Sequence, residues 1–352
     1  MVKLVGVFFA VVLFYPAIAN AICTDADGSC TEWVPITGTH SLLVHRTYPL
    51  KTVQSDVTRA VIVVHGINSN ADDYFHRMIA AAEAEGVTDE TLIIAPLFRS
   101  SSEGAASDEL YWSNSSSSGY SWKQGDPSRN SAPGISSFAV IDSLMELVTD
   151  RALFPNLRVV TVAGHSAGGQ FVQRYAAGTQ SPIRHGDHAF VYVVANPSSF
   201  MYLDRRRPEP GSTSEFFEPS TSCSFNDYKY GMDSMNVYMN SMGTESITAQ
   251  YRNRYVVYLA GEEDNDDSDE NLDSSCQAIL QGPNRFARAT AYANYIDLLY
   301  PSHFHQLMPV SGVGHSSSQM FSSPEGRAVI FANTAEIPVA TLAPPSPPRN
   351  LR

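Results

Sequence analysis

The stretch VVTVAGHSAGGQFVQRYAAG, residues 159–178, holds an apolar run (Val159–Ala163), then Gly164-His165-Ser166-Ala167-Gly168, then a helix-like segment over Gln170–Ala177. A side chain held on a sharp turn from strand to helix has strained backbone angles. Only glycine two residues to either side lets the neighbouring backbones approach that closely. Ser166 is therefore a candidate nucleophile. The same turn sets the backbone N–H of Ala167 at a helix N-terminus, where it can stabilise a developing oxyanion.

Outward from this turn the chain alternates strand-like and helix-like segments, the pattern of a parallel sheet with crossover helices. Near-continuous apolar runs mark strands at Ala60–Val64, Thr91–Ala95, Val159–Ala163, Phe190–Ala195, Tyr255–Ala260 and His305–Val310, as expected when both faces of a sheet are covered. Trp33–Thr39 and Ser41–Tyr48 read as a leading antiparallel pair, for eight strands in all. Helices are expected at Asp72–Glu85, Ile135–Leu153, Gln170–Ala177 and Arg285–Tyr300. Two long irregular stretches, 99–133 and 200–250, are too long for spacers and read as lid-like insertions. No internal repeat is present.

The ends of the strands carry the candidate chemistry. A serine hydroxyl needs a general base, and the base an orienting carboxylate. His315, in Gly312-Val313-Gly314-His315-Ser316, directly follows the last strand and is the candidate base. His303 and His305 read as structural histidines, and the His185/His188 pair as a surface loop in preference to a metal site. Strand Tyr255–Ala260 runs into Gly261-Glu262-Glu263-Asp264-Asn265-Asp266-Asp267, where Asp264 is preferred as the acid. Glu262, Glu263, Asp266, Asp267 and Asp269 compete with it. The acidic run lacks the central Gly and closing Glu of an EF-hand, so a calcium loop is disfavoured. Strand Ala60–Val64 ends in His65-Gly66-Ile67-Asn68; Ile67 is the expected second oxyanion donor, with His65 packed beneath the loop. Tyr74, Trp112 and Phe200 are candidate substrate-binding aromatics, with Trp122 and Tyr202 beside them. A histidine base must be neutral, so activity is expected to fall as pH drops through about 6 to 7.

The chain has 352 residues, 43% hydrophobic and 17% charged, enough for one large core. Its formal net charge of −13 and the lack of a basic stripe exclude a nucleic-acid partner; Arg205–Arg207 reads as a solvated loop. Lys3, an apolar run over Leu4–Tyr15 and Ala19-Asn20-Ala21 read as a secretory signal covering residues 1–21. The run is short for a membrane span, and Ile22 before Cys23 disfavours a lipid anchor, so no stable membrane insertion is expected. The mature chain keeps Cys23, Cys30, Cys223 and Cys276, which suggests two disulfides in an extracellular or periplasmic protein. Three pairings are open, and Cys23–Cys30 with Cys223–Cys276 is preferred; the second would tie the acidic loop to the 200–250 insertion. Nothing in the Cys and His spacing calls for a metal. Residues 22–340 read as one domain and 341–352 as a disordered, Pro-rich tail. Asn114-Ser115-Ser116 is an N-glycosylation acceptor only in a eukaryotic source.

His65-Gly66 after the third strand, the Ser166 turn, Asp264 after the seventh strand and His315 after the eighth together resemble the α/β-hydrolase superfamily, over roughly residues 40–335. HGINSNADDYF (65–75), GHSAGGQFVQRYA (164–176) and ANPSSFMYL (195–203) look like a group of secreted hydrolases. The resemblance implies an α/β fold with a mostly parallel eight-stranded sheet, Ser-Asp-His catalysis on a small-molecule or polymeric ester, and no cofactor. It implies no particular substrate. The Gly-rich His-Gly-Gly-Gly of many lipases is missing, which disfavours bulky tertiary-alcohol esters. A peptidase or amidase with the same three residues and an inactive, hydrolase-like binding protein are the alternatives.

Overall fold

The computed structural model describes residues 22–25, 28–102, 104–115 and 117–338. The signal segment 1–21 and the Pro-rich tail 341–352 lie outside them. The strands are β1 (Thr31–Thr37), β2 (His40–Arg46), β3 (Arg59–Val64), β4 (Thr91–Pro96), β5 (Val159–His165), β6 (Ala189–Ala195), β7 (Arg207–Pro208), β8 (Phe216–Phe217), β9 (Tyr255–Gly261) and β10 (His305–Val310). All but β7 and β8, which pair with each other, form one eight-stranded sheet in the order β1-β2-β4-β3-β5-β6-β9-β10. The β1/β2 and β2/β4 pairs are antiparallel, and every other neighbour in the sheet is parallel.

The helices are α1 (Ala71–Glu85), α2 (Ser137–Val148), α3 (Ala167–Gly178), α4 (Ser181–Arg184), α5 (Val237–Met242), α6 (Thr244–Tyr251), α7 (Cys276–Ile279), α8 (Arg285–Leu299), α9 (Ser317–Ser322) and α10 (Pro324–Ile330). They cover both faces of the sheet, and the period-2 alternation of strand side chains sorts the core into two halves. On β3, Ala60, Ile62 and Val64 face a core shared with α2, α3, α6 and α8. Val61 and Val63 face the other, shared with α1, α9 and α10. Burial on both sides is why these strands read as unbroken apolar runs. Each fully buried Val or Ile contributes about 1.5–3 kcal/mol. The polar exception within the Val159–Ala163 run of β5, Thr161, donates its hydroxyl to the Ile330 carbonyl at 2.9 Å.

Most expected elements lie within one to three residues of those observed. The helix expected over Ile135–Leu153 is shorter, because Ser136 caps it by accepting the Phe138 N–H and the Thr149 hydroxyl donates to the Met145 carbonyl at its end. Helix α5 and all but the last residue of α6 lie within the 200–250 stretch, which reads as irregular in sequence. The Arg205–Arg207 cluster is also corrected. Arg207 is fully buried, donates to the carbonyls of Asp204, Arg206, Phe225 and Tyr230 and lies over the Tyr202 ring at 4.4 Å. Burial pulls its pKa down to about 10.

Candidate active site

The C-terminal edge of the parallel strands gathers the loops that carry Ser166, Asp264 and His315. Ser166 sits between β5 and α3 at φ 58°, ψ −116°, a conformation L-residues rarely adopt. Its flanking glycines are dictated by contact. A Cβ on Gly164 would strike the Gly168 carbonyl, and one on Gly168 would strike the carbonyls of Val64 and His65. The Ser166 N–H is held by the Ala195 carbonyl at 2.9 Å.

From this turn a continuous hydrogen-bond chain runs inward. The Ser166 hydroxyl lies 3.0 Å from His315 Nε2, and His315 Nδ1 lies 2.7 Å from Asp264 Oδ2. With Nδ1–H donating to the carboxylate, Nε2 is left as the acceptor for the serine proton. His315 is part-exposed and Asp264 is 4% exposed. Asp264 therefore stands apart from its rivals Asp266 and Asp267, which are exposed. Its backbone is fixed by the Asp264 N–H to Gly261 and the Phe286 N–H to the Asp264 carbonyl. The arrangement can pass a proton from Ser166 to His315 while a buried negative charge stabilises the imidazolium.

Two residues that sequence reasoning missed hold this chain together. Arg285, at the start of α8 and fully buried, contacts Asp264 Oδ1 at 3.2 Å and Asp269 Oδ2 at 3.0 Å. Its Nε donates to Ser198 Oγ at 3.2 Å. Asn196, 1% exposed, donates to the Gly314 carbonyl at 3.1 Å and accepts the Gly261 N–H at 2.9 Å, so one amide ties the His315 loop to the acid loop. Asn196 adopts φ 43°. Its place just after an apolar strand was the one local signal; nothing local marks Arg285, 21 residues from its carboxylate.

The opposite wall is the loop after β3. His65 is fully buried, and burial lowers its pKa to about 4. Because Nε2 accepts the Phe98 N–H at 3.0 Å, the proton sits on Nδ1 and is donated to the Gly66 carbonyl at 2.7 Å. Ile67 borders the groove, with its carbonyl held by Asn114 Nδ2 at 3.0 Å, and Asn114 Oδ1 accepts the Trp122 indole N–H at 2.7 Å. The Asn114 amide is thus committed at both ends. Neither the Ile67 nor the Ala167 N–H has a protein acceptor among the described residues. Tyr74 reaches beneath Gly66, where a Cβ would stand 2.8 Å from its hydroxyl, and contacts His165 Nδ1 at 3.4 Å. The His165 ring in turn lies 4.5 Å from that of His315, and burial keeps its pKa well below the ordinary value.

Tyr74 lines the groove, whereas Trp112 and Phe200 do not. Both are fully buried: Trp112 packs edge-on against Phe98, and Phe200 stacks on Tyr292 at 4.4 Å. Trp122 and Tyr202 are likewise core side chains. No residue of 99–133 or 200–250 lines the groove; the insertions carry large aromatics that gain more by burial than by facing water. Both disulfides of the preferred pairing are formed, Cys23–Cys30 and Cys223–Cys276. The second joins the 200–250 insertion to the end of the acidic loop. His305 is buried, bonded to Tyr258 and Tyr251; His303 pairs with Asp297 and His185 with Glu146. No group of three or more His, Cys, Asp or Glu among the described residues could hold a metal, and none of the described helices is long and apolar enough to cross a membrane.

The sheet order, the Ser166 turn and the placement of the three loops define an α/β-hydrolase fold. The poly(3-hydroxybutyrate) depolymerase LpqC from Bordetella parapertussis is similar in structure, with a TM-score of 0.58 and 22% identity over 86% of this chain and 87% of that one. Poly(aspartic acid) hydrolase-1 from Sphingomonas sp. KT-1 is similar as well, with a TM-score of 0.57 and 19% identity over 86% of this chain and 97% of that one. No family model matches the chain, and no curated protein matches it in sequence.

Proposed function

We propose that this chain is a secreted serine hydrolase that cleaves carboxylic esters through an acyl-enzyme. The observation that carries the reading is the unbroken hydrogen-bond chain from Ser166 Oγ through His315 to the buried Asp264. His315 Nε2 takes the hydroxyl proton as Ser166 Oγ bonds to the ester carbonyl carbon. The N–H groups of Ile67 and Ala167 stabilise the oxyanion. The C–O bond to the alcohol then breaks, and His315 returns the proton to the departing oxygen. Water repeats the sequence with His315 as base, releasing the acid and restoring Ser166. Asp264 fixes the tautomer of His315 throughout.

Acyl hydrolysis gains support from the descriptions of the two similar structures, a poly(3-hydroxybutyrate) depolymerase and a poly(aspartic acid) hydrolase. The first polymer is a polyester and the second a polyamide, so the preference for esters is left to the substrate screen. Two disulfides support an oxidising compartment, extracellular or periplasmic. A screen of purified protein against 4-nitrophenyl esters and a peptide panel, with Ser166→Ala as control, tests the proposal. Ester turnover is expected to drop by at least about 10⁴-fold in the variant. Peptides cleaved faster than esters would move the assignment to an amidase, and ester turnover unchanged by Ser166→Ala would overturn it.

A further inference from the structure

The groove above Ser166 has a volume of about 440 Å³, and its walls are hydrophilic. From the β3 side come Asn68 and Asn70, from α1 Asp73 and Arg77, and from the opposite side Asn271 on the loop after β9 and Ser318 on α9. Among the described residues Ile67 and Tyr74 are its only large apolar members, and Tyr74 is 4% exposed. The aromatics that could have formed an acyl pocket are buried elsewhere. None of the large apolar side chains exposed on the described surface, such as Trp33, Val237 and Leu298, lines the groove. A lipid aggregate therefore finds no apolar rim to settle on.

The charges in the groove cancel. Arg77 Nη2 pairs with Asp73 at 3.2 Å, Nη1 donates to Ser317 Oγ at 2.8 Å, and Asn70 donates to Asp73 at 2.8 Å. Among the described residues no free cation remains there to hold a carboxylate, and a chain of net charge −13 repels polyanions. The side-chain amides of Asn68 and Asn271, both exposed, form no hydrogen bond within the protein among the described residues. Each offers two N–H donors and a carbonyl acceptor, a set that matches neutral hydroxyl and carbonyl groups.

We propose, resting on the ester-hydrolase reading above, that the substrate is a neutral, hydroxyl- or carbonyl-rich ester whose polar groups flank the scissile bond, and that Asn68 and Asn271 select for it over alkyl esters. The flanking groups sit on the alcohol side in a partly acylated polyol and on the acyl side in a hydroxy-acid ester. An apolar acyl pocket would raise kcat/KM roughly fourfold per added methylene, the equivalent of burying one CH₂; this groove gives a series that is flat or falls from acetate to decanoate.

Matched pairs differing only in hydroxyl groups test the proposal: glyceryl 1-acetate against propyl acetate for the alcohol side, and methyl 3-hydroxybutanoate against methyl butanoate for the acyl side. The hydroxylated member of at least one pair is expected to have the higher kcat/KM, by about two- to tenfold, the net worth of one hydrogen bond exchanged with water. In Asn68→Leu/Asn271→Leu that ratio falls toward one. Retention of the ratio in the variant removes the assignment of selectivity to these amides. Ratios at or below one in both pairs, alongside Ser166-dependent turnover of 4-nitrophenyl acetate, overturn the polar substrate and leave the esterase reading standing. An absence of Ser166-dependent turnover of any ester removes both.

Discussion

The loop that follows β3 and the loop that follows β9 border the same groove, yet one is backed by rings and the other by charges. Behind the first, Phe98 stacks on Trp122 at 5.6 Å, Trp122 meets His65 edge-on at 4.7 Å, and Asn114 carries the support forward to Ile67. Behind the second, Arg285 bridges Asp264 and Asp269, and Cys223–Cys276 closes the far end. The contrast follows from composition. The 99–133 insertion has tryptophans to bury and can brace a loop by packing. The 262–273 segment is crowded with carboxylates, and a buried one among them needs a cation. The two walls of one site should therefore fail under different perturbations.

The largest difference is expected from Asp264→Asn, which is predicted to lower kcat by about 10⁴-fold through the wrong histidine tautomer, while the β3 wall and the fold stay intact. Stopped assays beside thermal melts would show it, and a loss under tenfold would shift the role to another carboxylate. Arg285→Met leaves two carboxylates facing each other without their cation and is predicted to cost about 3–5 kcal/mol of stability. Urea unfolding measures this, and adding Asp269→Asn should restore part of the loss; no coupling between the two would break the charge account of this wall.

Cys223→Ser/Cys276→Ser is predicted to cost about 2–4 kcal/mol, again by urea unfolding, and to lower kcat with the acid loop less fixed. Equal stability and activity would show that Arg285 alone suffices. On the ring-backed side, Asn114→Ala frees the Ile67 carbonyl and leaves a polar group unpaired. Its predicted cost is about 1–3 kcal/mol, read mainly in kcat/KM and insensitive to reductant. A cost of Asn114→Ala that changes when the disulfide is reduced would mean that the two walls are not independent.

A slower effect comes from protons. His65 and His305 are buried neutral, their pKa values lowered by burial to about 4 and about 3. The unfolded chain binds protons from about pH 6.5 downward, before the folded one does, so stability is full above 6.5 and is lost as pH falls from there toward 3 to 4. The slope is at most about 1.4 kcal/mol per pH unit for each histidine. Denaturant melts at pH 7.5 and 5 should differ accordingly, and equal midpoints would contradict neutral burial.

What could be read from sequence and what could not divide along the range of the interactions. β5, the Ser166 turn and His315 after β10 are local patterns of strand, glycine and loop, and the structure has them close to where the pattern sets them. Asp264 could be preferred but not separated from its acidic neighbours, since separation depends on burial against Arg285, an element away. Asn196 joins two loops 65 and 118 residues distant. Trp112 and Phe200 show the converse error. An aromatic in an irregular stretch looks the same in sequence whether it walls a groove or fills a core, and here burial won.

The proposed reaction depends on Ser166 being an activated nucleophile held by His315 and Asp264. Mass spectrometry of the protein after reaction with a fluorophosphonate tests it most directly. One phosphonyl adduct is expected on the peptide containing Ser166, lost in Ser166→Ala and strongly slowed in His315→Ala. Labelling elsewhere, or labelling of Ser166 at the same rate without His315, would contradict it.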